Sequence, residues 1–358
     1  MGLLDILGFN RLPAGLQGSS LIIMDAGQLS RARPFLDTLR QQIGNTALLL
    51  IGSERDIDCD IPHLVVADDL QVLRQRLEKI APARIVMLGL SARHAPLLKD
   101  QKAPSVWINA RESAIASAGC KRITVSHADP QLPNAEVTGD PLSGLGQLPA
   151  HGVNTDICHR FKEQREGSRW LAYFAGTGES EENMAYLLFN RAIRHKMGLM
   201  ILAPRDQARC EPVYRESIKF RLQTIRHRRL STSFVPIKTR VYYVEDPQPL
   251  ADLHACADLV IAGGTMHADS TAQPDLVTPM LHGKTVIVGP AHRDQPLVAS
   301  AVDAGVVLAA DDENQLYDHM RTLIDQPEYG QKMAEQARNW LTSQPGAAQR
   351  VIQLISNI

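Results

Sequence analysis

The chain has 358 residues, a formal net charge of −1, 44% hydrophobic and 22% charged residues, which suits a soluble globular protein with length for two α/β domains. So balanced a charge argues against nucleic acid as the main partner, and no apolar run is long enough to cross a bilayer. No secretory signal is visible, and five dispersed cysteines (Cys59, Cys120, Cys158, Cys210, Cys256) without a CxxC pair predict unpaired thiols in a reducing cytoplasm.

In chain order, Leu3, Leu4, Ile6, Leu7 and Phe9 make a short apolar helix ended by Pro13. It either packs on the body of the protein or lies in a membrane interface, although it lacks the basic face of interfacial helices. Residues 20–27 read as a buried strand, 29–44 as a helix, and 46–53 as a second strand closed by Gly52 and Ser53. An amphipathic helix over 70–83 stops at Pro82, and strands follow over 84–91 and 103–110. Segments 122–128 and 135–142 complete a first half of five or six short strands. Between Leu142 and Gly167 the period breaks in a glycine-rich, polar stretch that reads as a linker. A second series has strands over 169–176, 198–205, 239–246, 257–264, 284–290 and 304–311, and helices close the chain over 313–326, 329–344 and 347–358. Alternation of this kind predicts parallel sheets, whose ligands sit outside the carboxyl ends of the strands.

Three turns in the second half follow strands directly. Gly176-Thr177-Gly178 precedes a helix whose first turn carries Glu179, Glu181 and Glu182, which the helix dipole alone would favour. Pro204-Arg205 ends a strand, where an arginine either clamps phosphate or makes a surface ion pair. Gly263-Gly264-Thr265 is a turn whose amides can approach an anion, with a helix after it pointing its positive end at the same spot. The histidines show no HxxxH or HExxH spacing, so neither metal nor cofactor is expected, and Cys158-His159 reads as a chance pair. The basic run Ile225–Leu230, with Lys219, Arg221 and Lys238, is either a solvated face or an attractor of anionic headgroups.

On these residues the chain resembles the 3-deoxy-D-manno-octulosonic acid (Kdo) transferases, which move Kdo from a CMP-linked donor to lipid A precursors. The stretch from Asp25 to Leu39 is similar to the family's opening Gly-Glu motif and following helix, Val106–Ser113 to its Asn-Ala-Arg-Leu-Ser segment, and Val137–Leu142 to its Thr-Gly-Asn. Thr177, Glu179, Glu181 and Glu182 match Ser-Thr-His-Glu-Gly-Glu-Glu. Leu199–Arg209 matches Leu-Ala-Pro-Arg-His, while "AGGTM" and "LHGKTVIVGP" match Gly-Gly-Ser and Gly-Lys-Pro-Val-Ile-Gly-Pro segments. The resemblance implies a GT-B glycosyltransferase fold, with two Rossmann-like α/β domains facing a cleft: 1–155 on the acceptor side, and 156–358 binding the nucleotide sugar and ending in the closing helices.

Several positions depart from the family pattern. The glutamate expected to take the acceptor proton is Gln28, which has no useful basicity, and a lost general base costs about 10²–10⁴ in rate. The family's Gly-Gly-His-Asn-Pro-Leu-Glu-Pro is "AQPDLVTP" here, so Asp275 and Thr278 replace the asparagine and the glutamate. Leu90–Pro96 has no carboxylate where the family has a Glu-rich segment, and the usual N-terminal membrane anchor is missing or shortened.

The resemblance implies a nucleotide-activated acidic sugar of the CMP-Kdo kind as one partner and a glycolipid or envelope glycan acceptor as the other. It places the donor against Thr177, Glu179, Arg205, Gly263, Gly264, Thr265, Asp275 and Thr278, and the acceptor against Gly27 and Arg111. Asp25 or Glu112 would serve as base if Gln28 does not. The alternatives are a catalytically silent paralogue with a binding or scaffold role, and a sugar-nucleotide epimerase using Asp275 and the Glu179 cluster. The expected location is the cytoplasm, with peripheral contact at the inner membrane as the variant.

Overall fold

The computed structural model describes residues 12–52, 57–149, 154–245, 250–267 and 274–358. The apolar stretch Leu3–Phe9 and the strand-closing Ser53 lie outside them. The chain divides into two compact units, 1–147 with 343–358, and 148–342.

The first unit is a seven-stranded sheet of β1 (Ser20–Asp25), β2 (Thr46–Ile51), β3 (His63–Val66), β4 (Arg84–Leu88), β5 (Ser105–Ile108), β6 (Arg122–Val125) and β7 (Glu136–Val137). Its order is β3-β2-β1-β4-β5-β6-β7 and its paired strands are parallel. β1 sits in the middle, with Ile22 opposite Leu48 on one side and Val86 on the other. Leu21 and Ile23 pack into one core cluster and Ile22 and Met24 into another, so the strand is apolar at every position from Leu21 to Met24 rather than at alternate ones. Helix α1 (Leu29–Ile43) buries Leu29, Ala32, Phe35, Leu36 and Leu39 on one face, and α2 (Leu70–Ile80) buries Leu73, Leu77 and Ile80 on the other.

The second unit repeats the plan with β8 (Trp170–Thr177), β9 (Gly198–Pro204), β10 (Thr224–Arg226), β11 (Val241–Tyr243), β12 (Leu259–Ala262), β13 (Thr285–Val288) and β14 (Leu308–Ala309). The order is β10-β11-β9-β8-β12-β13-β14, again parallel. Its helices of ten residues or more are α3 (Glu181–Ile193), α4 (Cys210–Lys219), α5 (Glu313–Asp325) and α6 (Pro327–Ser343). Two doubly wound parallel sheets in tandem are the α/β architecture of the GT-B class. In each sheet the strand order reverses once near the middle, between β1 and β4 and between β8 and β12, and such a reversal opens a crevice at the carboxyl ends of the strands.

The sequence reading missed β3 and β10. Both are edge or near-edge strands of three or four half-buried residues, too short to show a period. The expected linker over 142–167 is shorter than its composition implied. Leu142 and Ser143 are buried in the first unit, and Asp156–Glu166 forms short helical turns that bury Phe161 and Gln164 in the second. The expected boundaries 1–155 and 156–358 also need a correction at the far end. Helix α7 (Ala347–Ser356) belongs to the first unit, where Val351, Ile352 and Ile355 join the cluster of Ile22, Met24 and Phe35. The apolar face of α7 was legible, but nothing local says which core it fills.

The thiols correct a second expectation. Cys158 and Cys256 form a disulfide across 98 residues, leaving Cys59, Cys120 and Cys210 free. The argument from unpaired thiols to a reducing cytoplasm therefore falls. Arg165 ties the same two segments, donating to Cys256 O at 2.6 Å and to both Asp258 oxygens at 2.8 and 2.7 Å. A link closing so long a loop stabilises by about 2–4 kcal/mol. Reduction is expected to lower the midpoint of the second unit by about 5–15 °C in calorimetry, and to raise the thiol titre of the denatured protein from the three free cysteines to five. Five titratable thiols without reductant would refute the link.

Candidate functional site

The carboxyl end of the first sheet gathers Asp25, Gly27 and Gln28. Asp25 is exposed, and its Oδ1 accepts the Gly27 N–H at 2.8 Å to cap the short turn that leads into α1. Gln28 is the first residue of that helix entry, with φ −90° and ψ −4°, and no side chain caps the helix there. Its Oε1 is buried without a hydrogen-bond partner. Across the reversal of strand order, Gly89 follows β4 with φ +63°, and a Cβ there would stand 3.1 Å from Gln28 Oε1. That glycine therefore answers both to its backbone angle and to the amide it faces. Glu112 is exposed after β5 and its Oε1 accepts the Ala92 N–H at 3.0 Å; Arg111 is exposed beside it. A cavity of about 320 Å³ lined by Gly27, Ser30, Arg33 and Asp58 opens beside the start of α1.

In the second sheet the turns after β8 and β12 flank the reversal. Thr177 ends β8, is 2% exposed, and has a buried Oγ1 with no partner. Its carbonyl accepts the Arg205 N–H at 3.0 Å, while the Arg205 guanidinium reaches back to Gly176 O at 3.5 Å. Gly176 has φ +69°, and a Cβ there would stand 3.2 Å from Arg205 Nη2, so a side chain would displace the guanidinium. Helix α3 starts at Glu181 from Ser180, which has φ 73° and makes no side-chain cap bond. The Thr177 hydroxyl and the Arg205 guanidinium thus stand at one carboxyl edge, beside a 13-residue helix whose first turn carries Glu181 and Glu182.

The Gly263-Gly264-Thr265 turn is occupied from within the protein. Glu181 is 1% exposed; its Oε2 accepts the N–H of Gly178 at 2.7 Å and of Gly264 at 2.6 Å, and its Oε1 accepts the Met266 N–H at 2.8 Å. Three charge-assisted bonds lock the two turns together. Gly263 has no room for a side chain, since a Cβ would overlap Gly176 O. Thr265 is fully buried, and its hydroxyl donates to Ala262 O at 2.6 Å and accepts the Gly289 N–H at 2.9 Å. Residues 264–267 after the turn are not helical, and the next helix among the described residues is the five-residue Val277–Leu281. The expected helix pointing at the turn is therefore not found among the described residues. Asp275 is exposed and its Oδ1 accepts the Thr278 N–H at 3.0 Å, which caps that short helix.

Glu179 is exposed and pairs with Arg209 Nη1 at 3.1 Å; Glu182 is buried and pairs with Nη2 at 3.0 Å. Burial pushes the Glu182 carboxyl above its usual range. The helix dipole that the sequence offered for these glutamates is only part of their account: Glu181 and Glu182 do stand in the first turn of α3, while Glu179 precedes it. The roles of Glu181 and Arg209 depend on turns 83 residues and 27 residues away, and no local pattern carries that. Among the described residues no group of three or more His, Cys, Asp or Glu is placed to hold a metal, and no helix is long and apolar enough to cross a membrane.

No protein-family model and no curated protein matches the chain. Among solved structures it is similar to the C-terminal CMP-Kdo binding domain of WaaA from Acinetobacter baumannii, at 22% identity and TM-score 0.46 over 50% of this chain and 94% of that one. It is also similar to MurG from Acinetobacter baumannii, at 13% identity and TM-score 0.40 over 95% of this chain and 100% of that one. WaaG, a glycosyltransferase involved in lipopolysaccharide biosynthesis, is similar at 11% identity and TM-score 0.38 over 95% and 100%. Identity this low does not transfer chemistry, and the architecture stands on the strand order itself.

Proposed function

We propose that the chain is a nucleotide-sugar-dependent protein of the glycosyltransferase kind, whose second unit holds a CMP-linked acidic sugar of the Kdo type by its phosphate. The observation that carries this reading is the buried, unpartnered Thr177 hydroxyl beside Arg205 at the start of α3. A phosphate there gains a hydroxyl and a guanidinium, and the same groups stabilise the charge that develops on a leaving nucleotide. Because Glu181 already takes the amides of Gly264 and Met266, the glycine turn shapes this site rather than binding the phosphate. Thr265 is closed in and contributes packing, while Asp275 and Thr278 are left to the rim.

The first unit receives an acceptor hydroxyl of a lipid A-type or other envelope glycan at Gly27 and Gln28. Gln28 Oε1 is free to accept a hydrogen bond from that hydroxyl and so orient it, but an amide does not take its proton. Asp25 and Glu112 already accept backbone N–H groups, so neither is poised as a replacement base. This neutral position favours a second reading, a silent paralogue that binds nucleotide sugars without transfer. An epimerase is less well supported, since Glu179 is paired with Arg209 and Asp275 caps a helix.

Calorimetric titration with CMP, UDP and GDP tests the donor site. CMP is expected to bind, and Thr177→Val to weaken it by about tenfold, the equivalent of about 1.4 kcal/mol. UDP binding in place of CMP would indicate a different donor. Absence of binding by all three would sink the nucleotide-sugar reading.

A further inference from the structure

We propose that Arg169 and Arg240 form an anion site at the amino end of the second sheet, shaped for a phosphate group and separate from the donor site at the carboxyl end. Arg169 directly precedes β8 and Arg240 directly precedes β11, and β9 lies between these two strands. Side chains alternate along a strand. Leu171 and Tyr173 of β8 and Tyr242 of β11 all belong to one core cluster, so Arg169 and Arg240, two residues before Leu171 and Tyr242, leave the sheet on that same face. Trp170 stands opposite Gly198 and Val241 opposite Met200, which puts the two arginine backbones two strands across and two residues along, about 12 Å apart. Two arginine side chains reaching toward each other close that gap.

Each guanidinium is fixed by one nitrogen and open along its other edge. Arg169 Nη1 donates to Gln164 Oε1 at 3.1 Å, and the fully buried Gln164 donates in turn to Val235 O at 3.3 Å and Pro236 O at 2.6 Å. Arg240 Nη1 donates to Ile237 O at 3.4 Å and to Thr239 O at 3.3 Å. Among the described residues nothing bonds Nε or Nη2 of either arginine, and no carboxylate pairs with either. Both residues are half-buried, and those free edges are not sealed from solvent. Burial first, and the Arg240 charge second, push the Arg169 guanidinium below its ordinary pKa. The acids on the neighbouring turn are committed elsewhere: Glu163 accepts the Ile237 N–H at 3.0 Å, and Glu166 pairs with Lys162 at 3.8 Å. Two cations that converge without an acid between them repel, and a bound anion offsets that repulsion. A phosphate monoester, with three oxygens and a charge of about −1.5 to −2, answers both forks at once. A monocarboxylate satisfies one fork and leaves the other cation unpaired.

The test is thermal unfolding of the full chain in phosphate against chloride at matched ionic strength. At about 20 mM, inorganic phosphate or glycerol 3-phosphate is expected to raise the midpoint of the second unit by about 2–5 °C over chloride, because a ligand that binds only the folded state stabilises it. A gain from either supports the site, and the larger of the two names its source. Arg169→Gln with Arg240→Gln should lose the gain, yet in chloride it should be at least as stable as the parent, since the like-charge contact is gone. Arg169→Lys with Arg240→Lys keeps both charges without the forks and should need about tenfold more phosphate for the same shift. If the glutamine variant does not fold, the lysine variant and the parent decide. No gain over chloride in the parent, an equal gain in the variants, or the same loss of stability in both salts on replacing the arginines would each overturn the proposal. So would a gain that Thr177→Val abolishes, which would put the phosphate in the donor site. The phosphate response does not depend on CMP binding, so this proposal and the nucleotide-sugar reading fall separately.

Discussion

Glu181→Ala is expected to destabilise the second unit by about 3–5 kcal/mol, because it leaves three buried N–H groups without acceptors at about 1–3 kcal/mol each, not fully additive. The carboxylate is 1% exposed and bonds Gly178, Gly264 and Met266, so little water is available to replace it. At about 2–4 °C per kcal/mol for a unit of this size, the midpoint should fall by about 10 °C. Thermal unfolding followed by tryptophan fluorescence reads this out, with Trp170 and Trp340 in the second unit and Trp107 in the first. Glu181→Gln should lose less in total, since one oxygen survives, yet its new NH₂ group would face a backbone donor. The variant should also lose nucleotide binding, because the turns after β8 and β12 are no longer tied. A Glu181→Ala protein within about 1 kcal/mol of the parent would mean the turn is held by its glycines and packing alone.

Gln28→Glu is expected to raise transfer from a CMP-linked Kdo donor to a lipid A precursor by tenfold or more, roughly 1.4 kcal/mol of barrier. The change is nearly isosteric, and it puts a carboxylate at the uncapped start of α1, where the helix dipole favours negative charge. Oε1 already sits unpartnered against Gly89 across the reversal of strand order, so no rearrangement is needed to point an oxygen there. The gain should be present at neutral pH and vanish as pH falls through the carboxylate range near 4.3, because only the ionised form accepts the proton. A parent already fast, with no gain in the variant, would place the base elsewhere. No transfer by either protein, together with absent CMP binding, would leave the silent paralogue.

Most of the element order was legible because it is local. Strands buried on both faces, such as β1 and β8, announce themselves as continuous apolar runs, and α1, α2 and α5 show one apolar face at helical spacing. Glycines at the ends of β2, β8 and β12 marked turns for the same reason, since a backbone angle or a close approach is written in a single residue. The loss of basicity at Gln28 needed no structure at all. The sequence by itself therefore determined the alternation of strands and helices, the strand-end positions of the turns, and the neutral residue at the expected base position.

Tertiary structure decided what depends on distant partners. Glu181 looks like any acidic residue at a helix start until β12 brings Gly264 and Met266 to it. Cys158 and Cys256 look like two of five scattered thiols until the segments after the linker and before β12 pack together. Helix α7 shows an apolar face but not its owner, which proves to be the first sheet. Thr265 could have faced a ligand, and the fold instead spends its hydroxyl between Ala262 and Gly289. Hydrophobic period and turn chemistry are properties of neighbours in sequence, whereas hydrogen-bond satisfaction in a buried site is set by whichever groups the folded chain brings within 3 Å or so.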